Sequence, residues 1–223
     1  MTAKNRWRIL STPPMSGADN MAFDCETLRR VGDNQQQPTL RFFRFKEPTA
    51  SYGRLQTLDY LSSKIPSGWP AVRRPTGGGM VLHDNDLCFS LVWRRGEPPV
   101  PSRFRDQYRW IHDIVLNALK PLAPGTSMAT CRDCAPAAEA FETRECFTAP
   151  VVFDLILNKT KILGGALRHE RAASLYQGSV QGFPPDVVEP LLHTAFEQVL
   201  TESSPRQVSG RGLHLIILHE QTC

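Results

Sequence analysis

Two stretches of this chain combine residue types that act on acyl or phosphoryl groups. The first is Arg73-Arg74-Pro75-Thr76-Gly77-Gly78-Gly79-Met80-Val81-Leu82-His83-Asp84. Three consecutive glycines open backbone dihedrals closed to other residues and let main-chain N–H groups touch a ligand. The guanidinium pair matches a phosphate or carboxylate in a planar fork. A plain tight turn between two strands is the competing reading, but a two-residue hairpin needs neither the arginine pair nor His83. The loop has neither the G-x-x-x-x-G-K-[ST] nor the G-x-G-x-x-G spacing of nucleotide-binding loops.

The second stretch runs from Cys146 through Lys161 to Gly164-Gly165-Ala166. A free thiol titrates near ~8.5, so little of it is thiolate at neutral pH. A nearby ammonium would stabilise the thiolate and could take its proton, and Lys161 is the candidate. The competing reading is a buried small hydrophobe at Cys146 and a solvated charge at Lys161. Gly164-Gly165-Ala166 and Gln177-Gly178-Ser179 are small-residue stretches beside strands that let a ligand or a second strand come close; simple bulges would explain them too. Cys131-Arg132-Asp133-Cys134 is a lone C-x-x-C that no second Cys or His pair completes, so it reads as two loop thiols rather than a zinc site. No metal site is expected.

The elements that must position these residues follow from patterning. Strands are expected at Trp7–Leu10, Thr39–Lys46, Met80–Leu82, Leu87–Arg94 and Ser174–Gln181, with a turn at Asp84-Asn85-Asp86 joining the third and fourth as a pair. A hairpin of Val151–Leu157 with Thr160–Leu163, centred on Asn158-Lys159, would carry Lys161 back towards the strand that Cys146 leads into. Helices are expected at Met21–Arg30, capped by Asp19-Asn20, at Leu55–Lys64, at Arg103–Leu119, and at Asp186–Leu200 after Pro184-Pro185. Strands and helices alternate without a strict βαβ rhythm, so the fold class is α+β: a mixed sheet flanked by helices. Residues 1–223 read as one catalytic domain, with residues 201–223 an unassigned tail containing a last strand at Leu213–His219.

Of 223 residues, 41% are hydrophobic and 22% charged, the balance of a globular protein, and the net charge is +4. No basic helix interleaved with aromatics suggests nucleic acid, and no apolar stretch reaches the ~20 residues of a membrane helix. Met1–Arg6 leads into mixed sequence rather than an apolar signal core, so a cytoplasmic location and free thiols are expected.

Taken in order, these blocks resemble the lipoate–protein ligase and octanoyltransferase family, related in fold to biotin ligases. Asn20–Asp24 resembles its N-terminal helix signature, and Arg73–Asp84 its R-R-x-[ST]-G-G-G/R-x-V-x-H-D loop. Lys161–Ala166 is similar to its K-[IV]-x-G-[SG]-A motif, and Gln177-Gly178-Ser179 to its [HQ]-G-[ST]. Cys146-Phe147-Thr148-Ala149-Pro150, fifteen residues before Lys161, looks like the nucleophile segment of the cysteine-using octanoyltransferases.

The resemblance implies a biotin/lipoate ligase-like catalytic domain in which Cys146 and Lys161 are catalytic. Arg73, Arg74, Thr76, Gly77, Gly78, Gly79, His83, Gly164, Gly165, Ala166, Gln177, Gly178 and Ser179 would hold substrate. Acyl-carrier protein would be the donor and a lipoyl-domain protein the acceptor, with no cofactor required. Two alternatives stay open: an ATP-dependent lipoate–protein ligase, which would use ATP and Mg2+, and a non-catalytic module that binds acyl groups or lipoyl domains.

Overall fold

The computed structural model describes residues 7–134, 147 and 149–201. Cys146 and the strand expected at Leu213–His219 lie outside the described residues. Among the described residues, ten strands form two sheets. They are β1 (Arg8–Ser11), β2 (Thr39–Phe43), β3 (Thr49–Tyr52), β4 (Ala71–Arg73), β5 (Val81–His83), β6 (Leu87–Arg94), β7 (Ser127–Met128), β8 (Leu155–Leu157), β9 (Thr160–His169) and β10 (Ala173–Val180). The helices are α1 (Gly17–Gly32), α2 (Leu58–Leu61), α3 (Phe104–Leu119) and α4 (Pro185–Thr201).

The main sheet has the order β1-β2-β6-β10-β9-β8-β7, with β1 and β2 parallel and the other pairs antiparallel. A small sheet, β4-β3-β5, stands apart from it. The expected mixed sheet with flanking helices is present.

The central strands show why the main sheet is covered on both faces. Along β6, Leu87, Phe89, Leu91 and Trp93 enter the large core with Ile111, Val115 and Leu119 of α3 and Leu192 and Phe196 of α4. The alternate residues face the other way, as the two-residue period of a strand requires. There Val92 meets Leu28 and Val31 of α1, and Cys88 meets Met21 and Phe43. Each large apolar side chain so buried contributes roughly 1.5–3 kcal/mol. One face of the sheet is therefore packed on α3 and α4. The other looks towards α1 and the small sheet, and the cavity lies there.

Several elements differ from expectation. Helix α1 starts at Gly17 because Ser16 Oγ, not Asp19, accepts the capping bond, from Asp19 N at 3.1 Å. Asn20 lies within the helix, fully buried, its amide donating to Met15 O and Arg44 O. The helix expected over Leu55–Lys64 is cut to α2 and a 3-10 turn at Ser62–Lys64, since Gln56 is used in a turn, accepting from Gly53 N.

The strands before and after Asp84–Asp86 do not pair with each other. Strand β5 pairs with β3 in the small sheet, whereas β6 lies between β2 and β10. The turn, with Asn85 at φ 63°, is a corner between sheets. The Asn158-Lys159 turn forms as expected, both residues at positive φ (51° and 67°) as a type I′ turn needs, but the first strand is only Leu155–Leu157, because Asp154 is drawn out of it to Lys161 and Val151 N. Its second strand continues past Leu163 to His169, so Gly164–Ala166 lie inside a strand, not beside one.

Candidate active site

Between the main sheet and the small sheet lies a narrow cavity of about 40 Å3. Met21, Phe43, Phe45 and Val81 make its apolar walls; Gly164–Ala166 of β9 and Gln177–Ser179 of β10 make its floor. Those two triplets are far apart in sequence but opposite each other in register, Gly165 facing Gly178. Tyr176 presses on this pair from the core side. A Cβ on Gly165 would stand 2.3 Å from Tyr176 Oη, so that position admits no side chain.

The glycine loop supplies the opposite rim, and Gly78 reaches the cavity. Arg74 is buried and grips the loop from beneath. Its Nη1 donates to Ser51 O and Ser51 Oγ, both at 2.8 Å. Its Nη2 donates to Gly77 O at 3.0 Å and Gly79 O at 2.7 Å. The planar fork is thus set into loop carbonyls while its charge remains at the cavity wall. Gly78 takes φ +87° and lays its carbonyl over Gly53, where a Cβ would come within 2.0 Å of Gly78 O. Arg73 is exposed, its guanidinium 5.5 Å from the Tyr52 ring centre.

Thr76 is tied to the sheet. Its hydroxyl donates to Gln177 Oε1 at 2.7 Å, and Gln177 Nε2 donates to Asp24 Oδ2 at 2.7 Å. Asp24 also accepts from Ser90 Oγ at 2.9 Å and from Arg41 Nη1 at 3.0 Å. Arg41 and Asp24 form a fully buried ion pair, with Arg41 Nη2 also donating to Asn20 Oδ1. Burial pushes the Asp24 carboxyl up, opposed by Arg41. Breaking one partner of such a pair typically costs ~3–5 kcal/mol. Helix α1, β2, β6, β10 and the glycine loop are therefore locked through one carboxylate.

His83 enters from β5. Its Nε2 is 2.6 Å from Ser51 Oγ and its Nδ1 2.8 Å from Asp86 Oδ2, with the Phe45 ring stacked at 4.3 Å. Burial alone would push Asp86 up; His83 and the hydroxyl of Ser179 outweigh it and hold the carboxyl low.

Lys161 lies on β9, three residues before the cavity floor. Its ammonium is buried and 2.7 Å from Asp154 Oδ2. It does not line the cavity, whose β9 wall begins at Gly164. Asp154 is fully buried and also accepts from Val151 N at 2.7 Å and Tyr108 Oη at 2.6 Å. That same hydroxyl takes the N–H of Gly165 at 3.2 Å. The ring of Phe147 lies over the ammonium, 5.1 Å from its centre to Nζ.

Of the residues expected at the site, Arg74, Gly78, His83, Gly164–Ala166 and Gln177–Ser179 line one cavity, while Thr76 is bonded to its floor. Gly77 and Gly79 act through their carbonyls on Arg74, and Arg73 stands outside. Asp24, Arg41, Ser51, Asp86 and Asp154 were missed. The available signal was a lone charge inside an otherwise apolar strand, Arg41 in Leu40–Phe43 and Asp154 in Val151–Leu157.

Residues 16–211 match the family model of the lipoyl protein ligase A/B catalytic domain. Octanoyltransferase LipM of Geobacillus kaustophilus is 30% identical over 200 residues, covering 87% of this chain and 71% of the relative. LipM of Kyrpidia tusciae is 30% identical over 216 residues, with 86% and 76% covered. Among solved structures, Ta0514 of T. acidophilum with bound lipoic acid superposes at TM-score 0.64 and 22% identity, covering 89% of this chain and 86% of the other. A lipoate-protein ligase A bound with ATP superposes at 0.62 and 22%, covering 89% and 86%. Motif order, fold and relatives agree: the chain belongs to the lipoyl protein ligase A/B catalytic domain family and is an enzyme.

Proposed function

We propose that this protein transfers an octanoyl group during protein lipoylation, through a thioester on Cys146. The observation that carries this reading is the ring of Phe147 lying over the buried Lys161 ammonium. Phe147 directly follows Cys146 in the chain, and Asp154 holds the ammonium in place. The relatives named octanoyltransferase support the reaction class.

In the proposed sequence, octanoyl-carrier protein presents its thioester at the cavity, and the apolar walls take the alkyl chain at ~0.8 kcal/mol per buried CH2. The Lys161 charge favours the Cys146 thiolate. The thiolate attacks the carbonyl, the tetrahedral oxyanion collapses, and the carrier thiol leaves with a proton. N–H groups of the glycine loop would stabilise the oxyanion. The lysine amine of a lipoyl domain then attacks the Cys146 thioester; the amide forms, the C–S bond breaks, and the amine proton passes to the departing sulfur, regenerating the enzyme thiol. Thioester to thioester is nearly balanced and thioester to amide is downhill, so ATP is not consumed.

The test is an intact mass after incubation with octanoyl-carrier protein and no ATP. An octanoyl adduct that disappears in Cys146→Ala is the expected result. No adduct, but pyrophosphate release with lipoate and ATP, would establish the ligase instead. Neither adduct nor pyrophosphate, with retained binding of a lipoyl domain, would leave a binding module.

A further inference from the structure

A cluster at the cavity wall takes no part in the transfer described above. Cys88 Sγ stands 3.4 Å from His83 Nδ1 and 3.4 Å from Asp86 Oδ2, and those two atoms are 2.8 Å apart. All three side chains are buried, and their ligating atoms lie within 4.8 Å of one another. His83 and Cys88 both face the cavity.

This arrangement is a poor nucleophile. A thiol activated through histidine needs the thiol on one ring nitrogen and the acid on the other. Here Cys88 and Asp86 meet the same nitrogen, and the far nitrogen is taken by Ser51. Burial, then the adjacent Asp86 carboxylate, pushes the thiol's pKa up, away from a reactive thiolate.

It is a good cation site. Tetrahedral zinc bonded at roughly 2.0–2.3 Å holds its donor atoms about 3.3–3.8 Å apart. The two separations to Cys88 already match, and the third needs only its hydrogen bond opened. Thiolate, imidazole and carboxylate together select zinc or a similar borderline ion over Mg2+ or Ca2+. The outer contacts are also those a metal ligand needs. His83 Nε2 is fixed by Ser51 Oγ, which Arg74 holds, and Asp86 is fixed by Ser179. A ring N–H anchored this way turns the other nitrogen's lone pair to the ion.

We propose that His83 Nδ1, Asp86 Oδ2 and Cys88 Sγ form a binding site for one thiophilic divalent ion of the Zn2+ class, with a fourth position open to the cavity. Binding forms three bonds to the ion and releases the Cys88 thiol proton. The imidazole proton moves from Nδ1 to Nε2, where it is donated to Ser51.

The experiment titrates the metal-free, fully reduced chain with Zn2+ against a chromophoric chelator, and separately with Co2+ while recording the absorption spectrum. The expected result is one ion per chain with a thiolate-to-cobalt charge-transfer band. Cys88→Ser should abolish the band, and both Cys88→Ser and Asp86→Asn should weaken binding at least about tenfold, with circular dichroism confirming that each variant is folded. Among the described residues the competing thiols outside this site are Cys25 and the closely spaced Cys131 and Cys134, and only the latter pair offers two thiols together. The double variant Cys131→Ser/Cys134→Ser should therefore keep the ion and the band. No band in the unmodified chain, full binding in Cys88→Ser, or loss of the ion in the Cys131/Cys134 variant would each overturn the proposal. If both site variants fail to fold, the proposal rests on the band being present in the unmodified chain and kept in Cys131→Ser/Cys134→Ser, and its absence from either overturns it.

Discussion

Two buried cations, Arg74 at the cavity wall and Lys161 three residues before its floor, are held in different ways. On the glycine-loop side, Arg74 donates to three backbone carbonyls and a serine hydroxyl, so the loop's shape and the charge come as one unit. On the lysine side, Lys161 meets a carboxylate that is itself tied to α3 and to the chain before β8. A cation seated among carbonyls organises backbone and keeps its field at the cavity. A cation seated on a carboxylate is fixed in position, its long-range field largely cancelled. The first suits holding a polar ligand group; the second suits acting on something within a few ångströms.

The sharpest way to break this contrast is Asp154→Ala. It leaves a buried ammonium beside an empty site, and the expected loss is ~3–5 kcal/mol in urea unfolding. Replacing the pair together, Asp154→Leu with Lys161→Met, should recover most of that stability while the octanoyl adduct stays absent. A single-variant loss below about 1 kcal/mol would mean that charge does not hold this side.

Next comes pH. His112 is fully buried, with Nδ1 2.8 Å from Phe153 O and Nε2 2.7 Å from Tyr176 Oη, so it braces the lysine side. Burial pushes its pKa down from 6.5 to about 4. Between those values the unfolded chain binds a proton that the folded chain does not. Its contribution is complete above pH 6.5 and is lost as pH falls towards 4, on the order of 3 kcal/mol in all. Unfolding free energy measured across that interval should decline in the native chain and decline less in His112→Gln.

Gly53→Ala probes the loop side. Its Cβ meets a carbonyl rather than a flexible side chain, so a cost of about 1–3 kcal/mol is expected. Limited proteolysis should show the cut sites moving into residues 73–84. The smallest effect is Thr76→Val, which unties the loop from Gln177 for about 1 kcal/mol. It should raise KM for the acyl donor more than it lowers kcat. Equal falls in both would place Thr76 in the chemistry instead of the scaffold.

Gly78, His83 and the floor triplets were legible as cavity residues because their types are unusual for plain strands and turns, whereas Lys161, equally noticeable, lies off the cavity. The hairpin was legible because Asn158-Lys159 is good turn chemistry for positive φ. The small sheet was not. Strand β3 is only four residues, Thr49–Tyr52, too short for the alternation of Ala50 and Tyr52 with Thr49 and Ser51 to stand out, and β4 and β5 pair with it on either side. Nor was the corner at Asp84–Asp86 legible, since a turn between two apolar runs reads as a hairpin whether or not the runs pair. Arg41 and Asp154 escaped for a related reason. Each charge is interior only because a partner far along the chain, or across a turn, neutralises it; the lone charge shows in its apolar stretch, but its partner does not.

Where Gly165 faces Gly178, the partition between the cavity and the packed interior is a single peptide layer with the Tyr176 ring directly behind it. Whatever occupies the cavity at that point is separated from the hydrophobic interior by main chain alone. A guest therefore reaches no deeper than main chain at that point, and Tyr176, which it never touches, backs that peptide layer from the core.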